Sequence, residues 1–358
     1  MPIAQYALGR PEVAFDLAKL RAFYAGKRVL ITGAAGSVGS ALALKLANLG
    51  CAHLALLDHF DHGLIDAMDA VRRIAPHQQT TDALCDIRDV DRLEAWMRRV
   101  EPDVVIHSAA LKHVQLGERH PVECVLTNLV GVRNVLAAAA NAGARHFTLV
   151  SSDKAAAPVC VMGATKRLAE LHLAGFAAEH APPMQLKSVR FANVLGSQGS
   201  VLPRFAAQID AGGPLELTHP EMQRYFMSPE ESVGLILSVT AVDDAEGCYI
   251  LEMGAPTSIL ELGREMIRRS GKEIEIRITG LRPGERIKEQ LSDEAETLAP
   301  SALPGVFRVT PHSANAYVTS ADIAHLEAMA RTMDDPIVRQ RVLAFLDQRL
   351  QRDDRAAG

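Results

Sequence analysis

Three successive residues, Ser152, Asp153 and Lys154, carry a hydroxyl, a carboxyl and an amine. An acid beside an amine is equipment for moving protons to and from a substrate. A carboxyl kept partly protonated by a desolvated pocket can donate, and a lysine whose pKa is lowered by burial can accept. The plainer alternative is a solvated pair at the end of a strand. A second lysine, Lys166, lies four residues after Met162, one helical turn further on. Methionine carries no ionisable proton, so Met162 adds shape and no acid–base function.

These groups need a strand and a helix to hold them. The apolar run His146–Val150 reads as a strand ending at Ser151, and Gly163 onward reads as a helix running to about His180, closed by Pro182 and Pro183. The reactive groups then fall at the carboxyl end of a strand, where open α/β sheets place their ligands. Upstream, the β-branched run Arg28–Thr32 leads into Gly33-Ala34-Ala35-Gly36-Ser37-Val38-Gly39, followed by an expected helix over Ser40–Leu49. Such glycines permit a tight turn and let backbone N–H groups approach a pyrophosphate. Thr32, Gly33, Gly36, Ser37, Val38 and Gly39 are therefore candidate cofactor-binding residues.

The next strand, His53–Leu57, ends in Asp58. An acid about 20 residues beyond the glycine turn suits a ribose 2′-hydroxyl and repels a 2′-phosphate, which selects NAD over NADP. The alternative is an acid that caps the following helix. Asp86 and Ile87 follow a third strand and would flank an adenine. Ala109 and Ala110 follow Val104–His107 and would lie under the nicotinamide ribose, which Lys166 would hold. With a helix over Gly131–Ala142 and strands at Leu186–Phe191 and Cys248–Glu252, the rhythm is strand–helix throughout. The fold class is α/β: a Rossmann-like doubly wound parallel sheet with a smaller C-terminal substrate-binding α/β lobe.

The expected boundaries are an N-terminal helical extension over 1–25 and an NAD-binding domain over 26–190, to which 226–254 returns. A substrate-binding lobe takes 191–225 and 255–310, with loops over Ser197–Glu221, and C-terminal helices and a frayed tail fill 311–358. The chain has 358 residues, 48% hydrophobic and 23% charged, with a formal net charge of -5. That supports one or two packed domains. Without a basic block, nucleic acid is an unlikely partner. No apolar run approaches the ~20 residues of a membrane span, and the first residues lack the order of a secretion signal. Five scattered cysteines without a C-x-x-C pair suggest neither disulfides nor a metal site. The expectation is a cytoplasmic protein without a membrane segment.

The ordered series of motifs resembles the nucleotide-sugar 4,6-dehydratases of the extended short-chain dehydrogenase/reductase superfamily. It is most similar to the polysaccharide-biosynthesis branch acting on UDP-N-acetylglucosamine. The carriers are Thr32–Gly39, Asp86–Asp89, Ala109–Val114, Ser152–Lys154, Val161–Arg167, Asn193–Ser197, Thr218–Met222, Arg224–Met227 and Arg282–Glu285. In that superfamily the position of Met162 normally holds a tyrosine, and the methionine matches a subset of this branch. Cys85 and Cys160 stand where a glycine and an asparagine are expected, and Cys160 either touches the pocket or fills space.

The resemblance implies a hidden redox cycle with bound NAD: oxidation at C4 of the hexose, loss of water across C5 and C6, and return of the hydride to C6. It implies Asp153 as acid and Lys154 as base, with Ser152 on the C4 oxygen. Substrate contacts would fall to Lys112, Asn193, Arg204, His219, Arg224, Arg282, Glu285 and Arg286, the arginines on the diphosphate. His113 follows Lys112 and is the weaker candidate. The run Met162–Arg167 resembles members retaining configuration at C5. Relatives also pair through the helix bearing Leu168, Leu171, Leu173 and Phe176, so a homodimer or larger assembly is expected. The competing readings are a C5-inverting dehydratase, a 4-epimerase, and a non-catalytic NAD-binding regulator.

Overall fold

The computed structural model describes residues 2–311 and 316–351. The fraying expected after Gln351 lies outside the described residues. Nine strands form one sheet: β1 (Arg28–Thr32), β2 (His53–Asp58), β3 (Thr80–Leu84), β4 (Val104–His107), β5 (His146–Ser152), β6 (Gln185–Phe191), β7 (Gly247–Leu251), β8 (Glu296–Pro300) and β9 (Val306–Pro311). Their order across the sheet is β8-β9-β7-β6-β5-β4-β1-β2-β3. The pairings from β3 to β7 are parallel, and β9 runs antiparallel to both β7 and β8.

Alternate residues of each inner strand enter opposite cores. Leu30, Ala55 and Leu57 face one layer of helices, while Val29, Ile31, Leu54 and Leu56 face the other. The period of two places successive side chains on opposite faces, and apolar residues on both faces are what a sheet covered on both sides requires. The sheet is therefore doubly wound, as the sequence pattern predicts. The chain order reverses between β1 and β4, and a crevice opens there at the carboxyl ends of the strands.

A smaller lobe has a core of its own, built from Leu195, Phe205, Ile209, Leu215, Leu217, Met222, Phe226, Ile259 and Leu262. It contains helices Val201–Asp210 and Ile259–Ser270 and the parallel pair Leu215–Leu217 with Ile276–Ile278. The loops expected over Ser197–Glu221 thus include a helix and a strand. Gly, Pro and Ser around them mask the short apolar spacing of Phe205 and Ile209, both buried. The N-terminal extension divides between the cores: Ala7 and Leu8 enter the smaller lobe, and Leu20 and Tyr24 the main one.

Several expectations are corrected. The β8–β9 hairpin, expected partly in the smaller lobe, completes the main sheet on β7. The first Rossmann helix spans Ser37–Leu46, so it begins directly at the glycine turn. Leu168, Leu171, Leu173 and Phe176 are at most 5% exposed. They share a core with Val318 and with Ile323, Leu326, Val338 and Val342 from the C-terminal helices Ser320–Thr332 and Asp335–Gln351. The apolar stripe offered as a self-association surface is covered by the chain itself. Finally, Pro121–Asn141 forms a continuous 21-residue helical stretch that is apolar enough to cross a membrane, although it is mostly buried in the fold.

Candidate active site

Two adjoining cavities, of about 460 and 450 Å3, occupy the crevice and share Gly33, Gly36, Ser108, Ala110, Leu111 and Gln198. The first is lined by Asp58, Asp86, Ile87 and Ala109. The second is lined by Ser37, Val38, Gly39, Lys112, Ser152, Asp153, Lys154, Met162, Lys166 and Asn193. The fold therefore gathers most of the candidates from the ends of six separate strands, β1 to β6, into one trough.

The glycine turn forms its floor. Gly33 has φ +71, and a Cβ there would lie 2.5 Å from the Ala109 nitrogen, so only a residue without a side chain lets the two loops meet. Gly36 precedes the helix, whose first N–H groups have no intrahelical partner and can receive an anion. Asp58 accepts hydrogen bonds from the N–H of Ala35 at 2.9 Å and of Phe60 at 3.0 Å. It braces the glycine turn, and its carboxylate lines the first cavity. Asp86 is clamped by Arg88, which also pairs with Glu123. A bare-backbone turn at a helix start, with a fixed acid one strand over, fits the pyrophosphate and ribose of a dinucleotide.

Thr32 does not line either cavity. It is fully buried, and its hydroxyl lies 2.7 Å from His107 Nδ1. Burial and the nearby Lys166 charge push His107 down to about 3, so it is neutral. Lys166 donates to the Val150 carbonyl at 2.8 Å. Burial pulls it down to about 8, with Glu170 and Cys124 offsetting part of the drop.

Ser152 ends β5 and donates to Asp153 Oδ1 at 2.8 Å, and Lys154 Nζ donates to the same oxygen at 2.9 Å. The second carboxylate oxygen of Asp153 is buried without a hydrogen-bond partner among the described residues. The short turn holding them packs against helix Val161–His180 at Gly163, where a Cβ would lie 2.3 Å from the Lys154 carbonyl oxygen. Burial alone would lower the Lys154 pKa, but Asp153 and Glu289 outweigh it and the net direction is upward. This corrects the expectation of a lysine poised as a neutral base: two carboxylates hold it as an ammonium.

The expected substrate contacts divide. Lys112 donates to the Gln198 carbonyl at 2.8 Å, and burial lowers its pKa. Asn193 lines the second cavity and bonds the Tyr225 carbonyl. Arg204, His219, Arg282, Glu285 and Arg286 line neither cavity. Arg204 pairs with Glu216 within the smaller lobe, Arg286 donates to Gln290, and Glu285 accepts from the Arg282 backbone N–H on an exposed turn. His219 bonds the Glu221 N–H. Arg224 also stands outside the cavities, 3.7 Å from Glu289. Cys160 lines neither cavity; it caps the helix by accepting from the Gly163 N–H.

Sequence reasoning missed three groups. Glu289 lies 3.6 Å from Lys154 Nζ. Gln198 bridges the trough, its N–H on Ser37 Oγ and its carbonyl on Lys112. A buried quartet of Arg167, Glu170, Arg190 and Glu296 lies beneath β5, with Ser151 donating to Glu170 at 2.6 Å. Only Gln198, between two glycines, carried any local signal.

The family described as polysaccharide biosynthesis protein matches residues 29–311. The probable polysaccharide biosynthesis protein EpsC of Bacillus subtilis is 38% identical over 85% of this chain and 51% of its own length. The capsular polysaccharide biosynthesis protein CapD of Staphylococcus aureus is 36% identical over 81% of this chain and 49% of its own length. The chain thus spans about half the length of these curated relatives. A UDP-glucose 4-epimerase of Rickettsia typhi is 31% identical over 80% of this chain and 83% of its own.

Among solved structures, Pen from Bacillus thuringiensis superposes with a TM-score of 0.72 at 29% identity, covering 81% of this chain and 87% of that one. The dTDP-glucose 4,6-dehydratase DesIV of Streptomyces venezuelae, solved with NAD, shares the fold: TM-score 0.66 at 21% identity, over 74% of this chain and 88% of that one. With a match that runs from β1 to the end of the main sheet, the chain belongs to the polysaccharide biosynthesis protein family.

Proposed function

We propose that the chain is an NAD-dependent nucleotide-sugar 4,6-dehydratase acting on UDP-N-acetylglucosamine or a close relative, with retention at C5. The observation that carries the reading is the Asp153–Lys154 couple, 2.9 Å apart at the cavity wall. Bound in the trough, NAD would take a hydride from C4 of the hexose and return it to C6. Asp58 favours a free 2′-hydroxyl on its adenosine ribose.

The chain's own work is proton handling. Seating a sugar excludes water from the couple and penalises its charged form. Transfer of the shared proton from Lys154 to Asp153 then creates a neutral amine and a protonated carboxyl in one step. Lys154 takes the proton from C5, acidified by the 4-ketone, and Asp153 gives its proton to the departing C6 hydroxyl, which leaves as water. The couple is back in its ammonium–carboxylate form. Return of that proton from Lys154 to C5, as the hydride goes back to C6, would keep the configuration and leave Lys154 neutral. The proton that the C4 hydroxyl released on oxidation then reloads Lys154, so the couple ends the cycle as ammonium and carboxylate. Ser152 holds the C4 oxygen, and Lys166 holds the nicotinamide ribose.

The second reading is a 4-epimerase, favoured by the likeness to the Rickettsia enzyme. An epimerase returns the hydride to C4 and has no need of an acid–base couple. Incubation with UDP-N-acetylglucosamine followed by NMR of the product separates the two. A 4-keto-6-deoxy sugar with unchanged C5 configuration is expected, and a C4 epimer as the product would overturn the proposal.

A further inference from the structure

The Asp153–Lys154 couple is not closed on itself. A third group, Glu289, reaches it from the smaller lobe, with its carboxylate 3.6 Å from Lys154 Nζ and its side chain 7% exposed. The same carboxylate oxygen of Glu289 also faces Arg224 Nη2 at 3.7 Å. The four side chains form an alternating line, Asp153, Lys154, Glu289, Arg224, with two formal negative and two formal positive charges. Nothing in this line is loosely hung. Gln223 N–H donates to the Ile287 carbonyl at 2.9 Å, Gln223 and Lys288 form a bridge, and Arg224 Nη1 donates to the same Ile287 carbonyl. Further back, Gln115 donates to the Pro283 carbonyl, and Gly284 packs against Cys160 Cβ at the start of the Val161–His180 helix. The arm bearing Glu289 is thus anchored to both lobes.

We propose that Glu289 is a positioning residue for Lys154, holding its side chain in register with Asp153 and keeping it loaded with a proton until the sugar nucleotide is seated. The inference rests on the dehydratase reading for its purpose, but the Glu289–Lys154 coupling can be measured without it. Asp153 and Glu289 face Lys154 and favour its charge, Arg224 opposes it, and the neutral groups nearest are Ser152 and the Cys160 thiol, which burial pushes up to about 11. A carboxylate at this distance favours the ammonium form. A carboxylate that only filled space would leave the lysine's titration where it was.

The test titrates Lys154 by NMR in protein labelled with 13C-lysine, its resonance assigned by its loss in Lys154→Arg, with no sugar nucleotide present. Glu289→Gln keeps the shape and removes the charge. It is expected to move the Lys154 midpoint down by about one pH unit. Arg224→Gln removes the opposing cation and should move it up. In parallel, the pH midpoint for solvent deuterium entering C5 of UDP-N-acetylglucosamine should follow the lysine in each variant. An unmoved Lys154 midpoint in Glu289→Gln overturns the proposal. If that variant does not fold, the Arg224→Gln shift and Glu289→Asp, which restores the charge on a shorter arm, carry the same decision. A moved midpoint with no C5 exchange even in the native chain supports the positioning role and sinks the dehydratase reading instead.

Discussion

Lys154 decides how the site starts its work. Its side chain is 18% exposed and faces two carboxylates, so on the proposed mechanism it enters as an ammonium and passes a proton to Asp153 before acting as a base. Lys154→Ala should therefore still permit oxidation at C4 and then stall, leaving a persistent NADH absorbance after sugar nucleotide is added. Removal of a positioned proton carrier typically costs ~10²–10⁴ in rate. Met162 is 2% exposed, packed with Cys124, Cys160 and Val161, and offers the substrate only its surface. Met162→Ala should cost far less turnover than Lys154→Ala. Equal damage from the two changes, read as product formation by NMR, would mean that the chemistry lies elsewhere. That Ser152, Asp153, Lys154, Met162 and Lys166 share one cavity was legible in the sequence, because they are neighbours or lie one helical turn apart. The direction of the Lys154 shift was not: it depends on how far burial is opposed by Asp153 first and then by Glu289, which arrives from a distant part of the chain.

At the scale of elements, the inner strands could be read from their apolar runs, since a parallel strand buried on both faces has no polar residue to blur it. The hairpin of β8 and β9 escaped notice. Among its described residues only Val306 and Val309 of β9 and Glu296 of β8 are buried, while Leu298 is exposed and Phe307 half-buried, as suits the edge of a sheet. What ties that edge down is the buried quartet, whose members come from the long helix, β6 and the start of β8. Arg190 donates to both Glu170 and Glu296 and is 0% exposed in its side chain. Arg190→Met leaves two buried carboxylates with one guanidinium, and a loss of about 3–5 kcal/mol in denaturant unfolding is expected. Burial would raise the Glu170 pKa, but Arg190 and Arg167 overcome it and hold it down to about 2 from an ordinary 4.5. A depressed acid stabilises the fold above its unfolded pKa and loses that contribution as pH falls through the folded one. The native chain should therefore lose stability between about pH 4.5 and 2, and Arg190→Met should show a shallower loss there, because less of the shift remains. An unfolding midpoint unchanged by the substitution would remove the quartet from the account.

The whole molecule is arranged so that one trough crosses the sheet where its strand order reverses, with the smaller lobe closing one side. A cofactor that starts and ends each cycle oxidised need never leave, and Gln198 lies across the trough between Ser37 and Lys112. Denaturing the purified protein should release NAD; release of NADP would overturn the argument from Asp58. The other large-scale feature is the cover over the long helix Val161–His180. Val318 N–H donates to the Leu171 carbonyl, its own carbonyl contacts His172 Nδ1 at 3.0 Å, and the helices that follow pack on the same face. Burying a large apolar side chain contributes about 1.5–3 kcal/mol, so uncovering Leu168, Leu171, Leu173 and Phe176 removes an amount comparable to the ~5–15 kcal/mol of a whole domain. A chain truncated after residue 316 should therefore unfold or self-associate through that face at micromolar concentration, while the full chain does neither by this route. Light scattering and thermal unfolding read the difference. A truncated chain that stays monomeric with an unchanged Tm would show that the terminal helices do not hold the long helix, and would return its apolar stripe to the list of free surfaces.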